Sequence, residues 1–147
     1  MITEKISCMG IVLLYNNSQK EVLILNSEGE WVFPKGHLEK DETLLDCAVR
    51  EVFEEARIKL LKEQSLGQID EFSFYFDKEQ AIKVIKVFGF IINSRQIVCY
   101  NKNEGFIDGK FVEVNDALKL LKHDDAKNAL RKLLNKVKWV WKVMIFY

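Results

Sequence analysis

The stretch Gly36–Ile58, GHLEKDETLLDCAVREVFEEARI, changes its period partway along. Up to Asp41 it is polar and contains Gly36, the composition of a loop, and loops this polar are where function tends to sit. From Thr43 the residues Leu45, Ala48, Val49, Val52 and Ala56 recur at three- and four-residue intervals. That spacing predicts an amphipathic helix with Thr43 as its N-cap. A helix advances by roughly 100° per residue, which puts those five on one buried stripe and Glu51, Glu54 and Glu55 together outside it. Glu51 is three residues from Glu54 and four from Glu55, spacings that make side chains near neighbours. Three carboxylates therefore share one patch.

Like charges at these spacings destabilise a helix by a few tenths of a kcal/mol per pair, and late in a helix they also oppose its dipole. A cation should offset the repulsion. Arg50 can pair with Asp46 or Glu54 at four-residue spacing, but one guanidinium cannot neutralise the whole patch. A hard divalent ion could: Mg2+, with Mn2+ as a substitute, takes oxygen ligands, and carboxylates suit it better than they suit zinc. Taken alone, the acidic run also reads as a solvated helix face, so its surroundings must decide.

N-terminal to the stretch, Ile6–Tyr15 and Glu21–Asn26 are aliphatic and β-branched runs separated by Asn16, Asn17 and Ser18, which predicts a strand pair. Ser27–Glu30 is a second turn, Trp31–Phe33 a short strand, and Pro34–Asp41 a loop. C-terminal to it, Ile58–Leu66 resumes an apolar pattern. Phe72–Phe76 and Ile82–Ile92 read as a hairpin turning at Asp77–Gln80, and Ile97–Tyr100 as another short strand. The polar loop Asn101–Gly105 delivers Glu104 before the strand Lys110–Val114. Asn115 caps a short helix through Leu121, and Asp124 or Asp125 a longer one through about Lys138. Strands, a helix, more strands and then helices indicate an α/β fold, a mixed sheet with helices packed on it.

The 147 residues suffice for one domain, 1–147, with a core that needs no disulfide. Hydrophobic residues at 48% and charged residues at 30% exclude a disordered or fibrous chain. Lys plus Arg equals Asp plus Glu at 22 each, so no global field draws the chain to nucleic acid or an anionic membrane, and no stable nucleic-acid partner is expected. Cys8, Cys47 and Cys99 form no C-x-x-C or zinc-finger spacing, which points to a reduced, cytoplasmic compartment. No run approaches the roughly 20 apolar residues that span a membrane, and no signal segment opens the chain. In the tail Lys136–Tyr147 lysines alternate with Trp139, Trp141, Ile145 and Phe146. Packing against the domain or a second subunit is favoured over contact with a membrane surface.

From Gly36 the order Gly36, five residues, Glu42, seven residues, Arg50, Glu51, Val52, Phe53, Glu54, Glu55, Ala56, Arg57, Ile58 resembles the Nudix box, G-x5-E-x7-R-E-U-x-E-E-x-G-U, where U is aliphatic. One specified position differs: Arg57 stands where the family has glycine. The resemblance implies an α/β/α sandwich with the box as a loop–helix–loop unit. It implies that Glu51, Glu54 and Glu55 bind divalent ions, that Glu42 braces Arg50, and that the Gly36 carbonyl is a further ligand. Glycine after a helix usually supplies a left-handed residue that ends it. Arg57 in that conformation would cost about 1 kcal/mol without removing a carboxylate.

The family's chemistry is hydrolysis of a phosphoanhydride in a nucleoside-diphosphate-linked substrate. Such bonds resist water because anionic phosphate repels the nucleophile, so charge must be neutralised and water positioned. Lys35, Lys83 and Lys86 are candidate phosphate contacts, and each also reads as an ordinary surface lysine. Glu104 occupies the place from which some members draw a general base. The segment Trp31–Glu39, WVFPKGHLE, looks like the diadenosine tetraphosphate hydrolase branch, with its W-x-x-P-K-G-H stretch. Lys83–Phe88 and Phe111–Leu121 with His123 are similar to that branch more faintly. For a purine, flat side chains are expected, and Tyr75, Phe76, Tyr100 and His123 are the candidates, with His37 at the phosphates. Other Nudix substrates (an oxidised nucleoside triphosphate, a nucleotide sugar or an RNA 5′ end) share the same helix. A non-catalytic nucleotide-binding domain would normally lack box carboxylates that are all present here. A monomer or homodimer fits equally.

Overall fold

The computed structural model describes residues 2–16 and 19–145, with side chains to residue 140. Asn17 and Ser18 of the first expected turn lie outside the described residues, as do the side chains of Trp141 and Ile145 and all of Phe146. The elements are β1 (Thr3–Asn16), β2 (Gln19–Ser27), β3 (Glu30–Val32), β4 (Lys35–His37), α1 (Leu44–Ala56), β5 (Ser65–Phe76), β6 (Ala81–Ile92), β7 (Phe106–Glu113), α2 (Val114–Leu120) and α3 (Asp124–Ile145). Single 3₁₀ turns occupy Lys62–Gln64, Asp77–Glu79 and Lys102–Glu104.

β1 is buried without interruption from Ser7 to Leu14, which marks a central strand covered on both faces. It pairs in parallel with β6 from Thr3↔Ala81 to Leu14↔Ile92, and every other pairing in the seven-stranded sheet is antiparallel. The spine runs β3-β2-β1-β6-β5, with β7 on β2 and β4 on β1. β6 fills one edge of β1 throughout, so β2 and β4 must share the other. β2 leaves β1 after Val22↔Leu13, and β4 enters the vacated edge with Cys8 opposite Gly36. That divergence opens the sheet beside Gly36.

Alternation along β1 feeds two cores. Met9, Ile11 and Leu13 join a cluster with Ala117, Leu130 and Leu133 from α2 and α3. Cys8, Val12 and Leu14 join Ala48, Val52 and Ala56 of α1 on the opposite face. The result is the expected α/β sandwich, a mixed sheet between helical layers. α1 comes close because Gly10 lies beneath it: a Cβ there would sit 2.5 Å from Val52 Cγ2.

Several boundaries differ from the sequence reading. β5 begins at Ser65 rather than Phe72, because the long β6 offers it partners back to Phe90. Ile97–Tyr100 is no strand; its backbone serves the end of α1 instead, Cys99 N–H donating to the Ala56 carbonyl at 3.0 Å. Lys35–His37, within the expected loop, pairs with β1. α2 starts at Val114 without a side-chain cap, so Asn115 lies inside the helix rather than before it. α3 extends through Ile145, beyond the expected Lys138. Within the expected tail Val137 is buried in the core against the sheet, whereas Trp139 is 67% exposed and does not pack on the domain.

Candidate active site

Thr43 opens α1 as its sequence suggested: Oγ1 accepts from the Asp46 N–H at 3.1 Å. The helix then lays Cys47, Ala48, Glu51, Val52, Glu55 and Ala56 against the sheet, while Leu45 and Val49 are only half-buried. This corrects the expected stripe. Glu51 and Glu55 belong to the buried face, each 7% exposed, and of the three carboxylates only Glu54 faces solvent, with 41% of its side chain accessible. The apolar residues alone understated the face because the two acids sit at its edge, where the divergence of β2 and β4 leaves room.

Gly36 lies directly over Glu51. A Cβ on Gly36 would be 2.0 Å from the Glu51 carboxyl carbon, so this position tolerates only glycine while the carboxylate stays in place. The Gly36 carbonyl receives a weak S–H contact from Cys47 Sγ at 3.7 Å. One residue earlier the Lys35 N–H donates to Glu55 Oε1 at 3.0 Å.

Arg50 organises the other side. Glu42 receives it through two bonds, Nε to Oε2 at 2.7 Å and Nη2 to Oε1 at 2.9 Å, the bidentate geometry of a strong pair. Nη1 donates to Glu51 Oε1 at 2.7 Å and to Glu54 Oε2 at 3.2 Å, and Nη2 to the His37 carbonyl at 2.9 Å. Asp46 is not a partner of Arg50; it pairs with Lys62 at 3.0 Å. The Arg50 bonds pull the Glu42 carboxyl down to about 2.

Burial works the other way on the two inner acids. It raises Glu51, against the opposing bond from Arg50, and raises Glu55 to about 9, with the Glu51 and Glu104 carboxylates adding repulsion. Desolvation also lowers Lys35, partly offset by Glu55.

Glu104 reaches the site through the end of α1. Asn101 donates its N–H to the Glu55 carbonyl at 3.0 Å and Nδ2 to the Glu54 carbonyl at 3.2 Å. Its Oδ1 accepts from Asn103 N–H at 3.0 Å, closing the turn that carries Glu104. Asn101 thus caps the helix and places the acid, a role its position in a polar loop did not reveal.

Glu51, Glu54, Glu55, Glu104, Lys35 and Lys83 line one open cavity of about 570 Å³, with Gly36, His37 and Phe76 also on its wall. Lys35 and Phe74 are shared with a second, more apolar cavity of about 270 Å³ whose wall includes Trp31, Phe33, Phe72 and His123. The two cavities adjoin at Lys35 and Phe74. A larger cleft of about 820 Å³, between β2, β7 and α3, contains none of these acids.

Three of the expected substrate contacts lie outside both cavities. On β6 Lys83 and Ile85 face the acids, so Lys86 projects from the opposite face and pairs with Glu71. On β5 Phe72, Phe74 and Phe76 face the cavities, which turns Tyr75 away, 51% exposed. Tyr100 packs beside Gly109 in the α1-side core. Trp31, Phe72 and Phe74 take the place expected for Tyr75 and Tyr100; alternation along the strand was the available signal.

The donor set suits a hard divalent ion: carboxylate oxygens, no thiolate, and Glu51 held against the Gly36 backbone where a side chain would exclude it. As the side chains stand, no three His, Cys, Asp or Glu groups among the described residues converge on one point. Arg50 occupies the position between Glu51 and Glu54 that a cation would contest.

Arg57, at the position where the box has glycine, adopts φ 59° and ψ 24°, the left-handed conformation glycine would supply. Its N–H closes the helix on the Phe53 carbonyl at 2.9 Å, and its guanidinium lies 5.0 Å from the Phe53 ring centre. The stacked cation offsets part of the backbone strain.

Residues 6–134 match the sequence profile of the NUDIX domain. The chain belongs to the NUDIX domain family. Nudix proteins of solved structure share its fold. A C. elegans Ap4A hydrolase in a binary complex superposes with a TM-score of 0.74 at 23% identity, covering 91% of this chain and 98% of that one. The NUDIX domain of Shewanella oneidensis NrtR, complexed with ADP ribose, gives the same TM-score of 0.74 at 15% identity, over 93% and 90% of the two chains. Over 53 residues the chain is 42% identical to the mRNA decapping complex subunit 2 of Schizosaccharomyces pombe, a match covering 35% of this Nudix chain and only 7% of that protein.

Proposed function

We propose that this Nudix chain hydrolyses a phosphoanhydride bond in a dinucleoside polyphosphate, diadenosine tetraphosphate being a member of that class. One observation carries the reading: a carboxylate-walled cavity and an aromatic one share Lys35 and Phe74 on their walls, so phosphates and a nucleobase have adjoining places. The fold shared with the C. elegans Ap4A hydrolase supports it.

Glu51, Glu54 and Glu55 would hold Mg2+, or Mn2+ in its place. Bound there, the ion would supply charge neutralisation for the phosphates and activation of water. Arg50, anchored by Glu42, fixes the acids and ties the Gly36–His37 backbone to α1. Lys35 and Lys83, on the wall of the same cavity, contact phosphate oxygens, Lys83 from its ion pair with Glu79 at 2.9 Å. Glu104, positioned by Asn101, accepts the proton of the attacking water; the P–O bond to the leaving nucleotide breaks and that nucleotide departs as an anion. Trp31, Phe72, Phe74 and His123 stack on a base.

A second reading, an RNA 5′ end as the nucleotide, is favoured by the local match to the decapping subunit. The test is incubation with Mg2+ and a panel of diadenosine tetraphosphate, nucleoside triphosphates, nucleotide sugars and 5′-triphosphorylated RNA, with products identified by chromatography. Cleavage of the dinucleotide to two mononucleotides, faster than of the other members, is expected. Turnover confined to RNA would replace the first reading with the second, and no turnover of any member would overturn both.

A further inference from the structure

The second cavity carries more information than stacking alone. Its walls are apolar or aromatic from Met9 and Phe33 at the sheet to Trp31, Phe72 and Phe74. Two charged side chains break that surface: Lys35, on the side shared with the acid-lined cavity, and Asp125, at the start of α3. His123 beside it stands 3.5 Å from Glu30. Asp125 is the single carboxylate on the cavity wall; it is solvent-exposed, and no ion-pair partner for it is found among the described residues.

A nucleotide with its phosphates toward Lys35 and its base among the aromatics can turn an edge of that base to Asp125 on the same cavity wall. An ionised carboxylate only accepts hydrogen bonds, through two oxygens side by side. Guanine matches this with N1–H and the 2-amino group, two adjacent donors. Adenine offers the 6-amino group next to a ring nitrogen lone pair, so one carboxylate oxygen would meet an acceptor. Hypoxanthine keeps N1–H and lacks the 2-amino group, retaining one of guanine's two bonds.

We infer that Asp125 makes the aromatic cavity a guanine-selective subsite, so that the dinucleotide bound best carries guanine at this position. The inference rests on the proposed placement of phosphates and base. Diadenosine tetraphosphate remains a substrate, the weaker of the two.

The test reads binding rather than turnover, so it stands apart from the catalytic reading. GDP, IDP and ADP are titrated calorimetrically, with Mg2+, into the wild-type chain, Asp125→Asn and Asp124→Asn. The wild type is expected to bind GDP at least about tenfold more tightly than ADP, with IDP between, as a two-bond edge contact requires. Asp125→Asn, whose amide offers one donor and one acceptor, should bring GDP and ADP to within about twofold. Asp124→Asn removes a neighbouring charge that is not on the cavity wall and should keep the wild-type order. Equal binding of GDP and ADP by the wild type, or tighter binding of ADP, would overturn the assignment. So would loss of the preference in Asp124→Asn, which would trace it to charge at the helix start instead of an edge contact.

Discussion

The backbone N–H of Lys35 donates to Glu55 Oε1 at 3.0 Å, which fixes a carboxylate that water barely reaches. One neutral donor does not replace a hydration shell, so burial drives the Glu55 carboxyl up to about 9. A carboxyl with a folded value above its ordinary 4.5 is most stabilising to the fold when protonated. Its contribution is complete below the unfolded value and is lost as pH rises through about 9. Metal-free protein should therefore lose thermal stability between pH 5 and 9 relative to Glu55→Gln, whose amide keeps an acceptor for Lys35 and carries no charge. Melting curves of the two proteins across that range check this; parallel curves would contradict it.

Gly36→Ala tests the close approach over Glu51. The three atoms nearest the added methyl all belong to the Glu51 carboxylate, the end of a flexible side chain, so Glu51 can swing aside and the fold should lose less than about 1 kcal/mol. The displaced carboxylate no longer faces the cavity. Mg2+ affinity should drop by about tenfold or more while the urea midpoint changes little, two readouts that separate a local eviction from unfolding.

At Arg57 two small effects of opposite sign meet. Glycine would relieve a left-handed strain of about 1 kcal/mol but give up a cation–π contact worth about 0.5–1 kcal/mol at an exposed site. Arg57→Gly should accordingly change unfolding free energy by less than about 1 kcal/mol and leave metal affinity as it was. A change in metal affinity would mean that the residue shapes the site itself.

These outcomes separate what the sequence could express from what only packing supplies. The helix was legible because Ala48, Val52 and Ala56 repeat at its period and Thr43 caps it, and the box spacing announced Glu42, Arg50 and the three acids. Burial of Glu51 and Glu55 was not legible, since an apolar pattern cannot show that the edge of a sheet opens beside Gly36. Strand parity decided Lys83 over Lys86 and Phe74 over Tyr75, and parity depends on a register fixed by pairing with β1 and β5. Asn101 was hidden because its partners are carbonyls on a helix distant in sequence.

Calorimetric Mg2+ titration of the wild type and Glu55→Gln, at pH 7 and pH 8 in buffers of different ionisation enthalpy, probes the acidic cavity most directly. The wild type should bind Mg2+ with release of a proton, because the metal displaces it from a carboxyl whose value lies at about 9. Its affinity should rise by up to about tenfold over that unit, and Glu55→Gln should bind at least about tenfold more weakly without the proton. Equal affinity in the two proteins, with no proton released, would contradict the assignment of these acids to a metal.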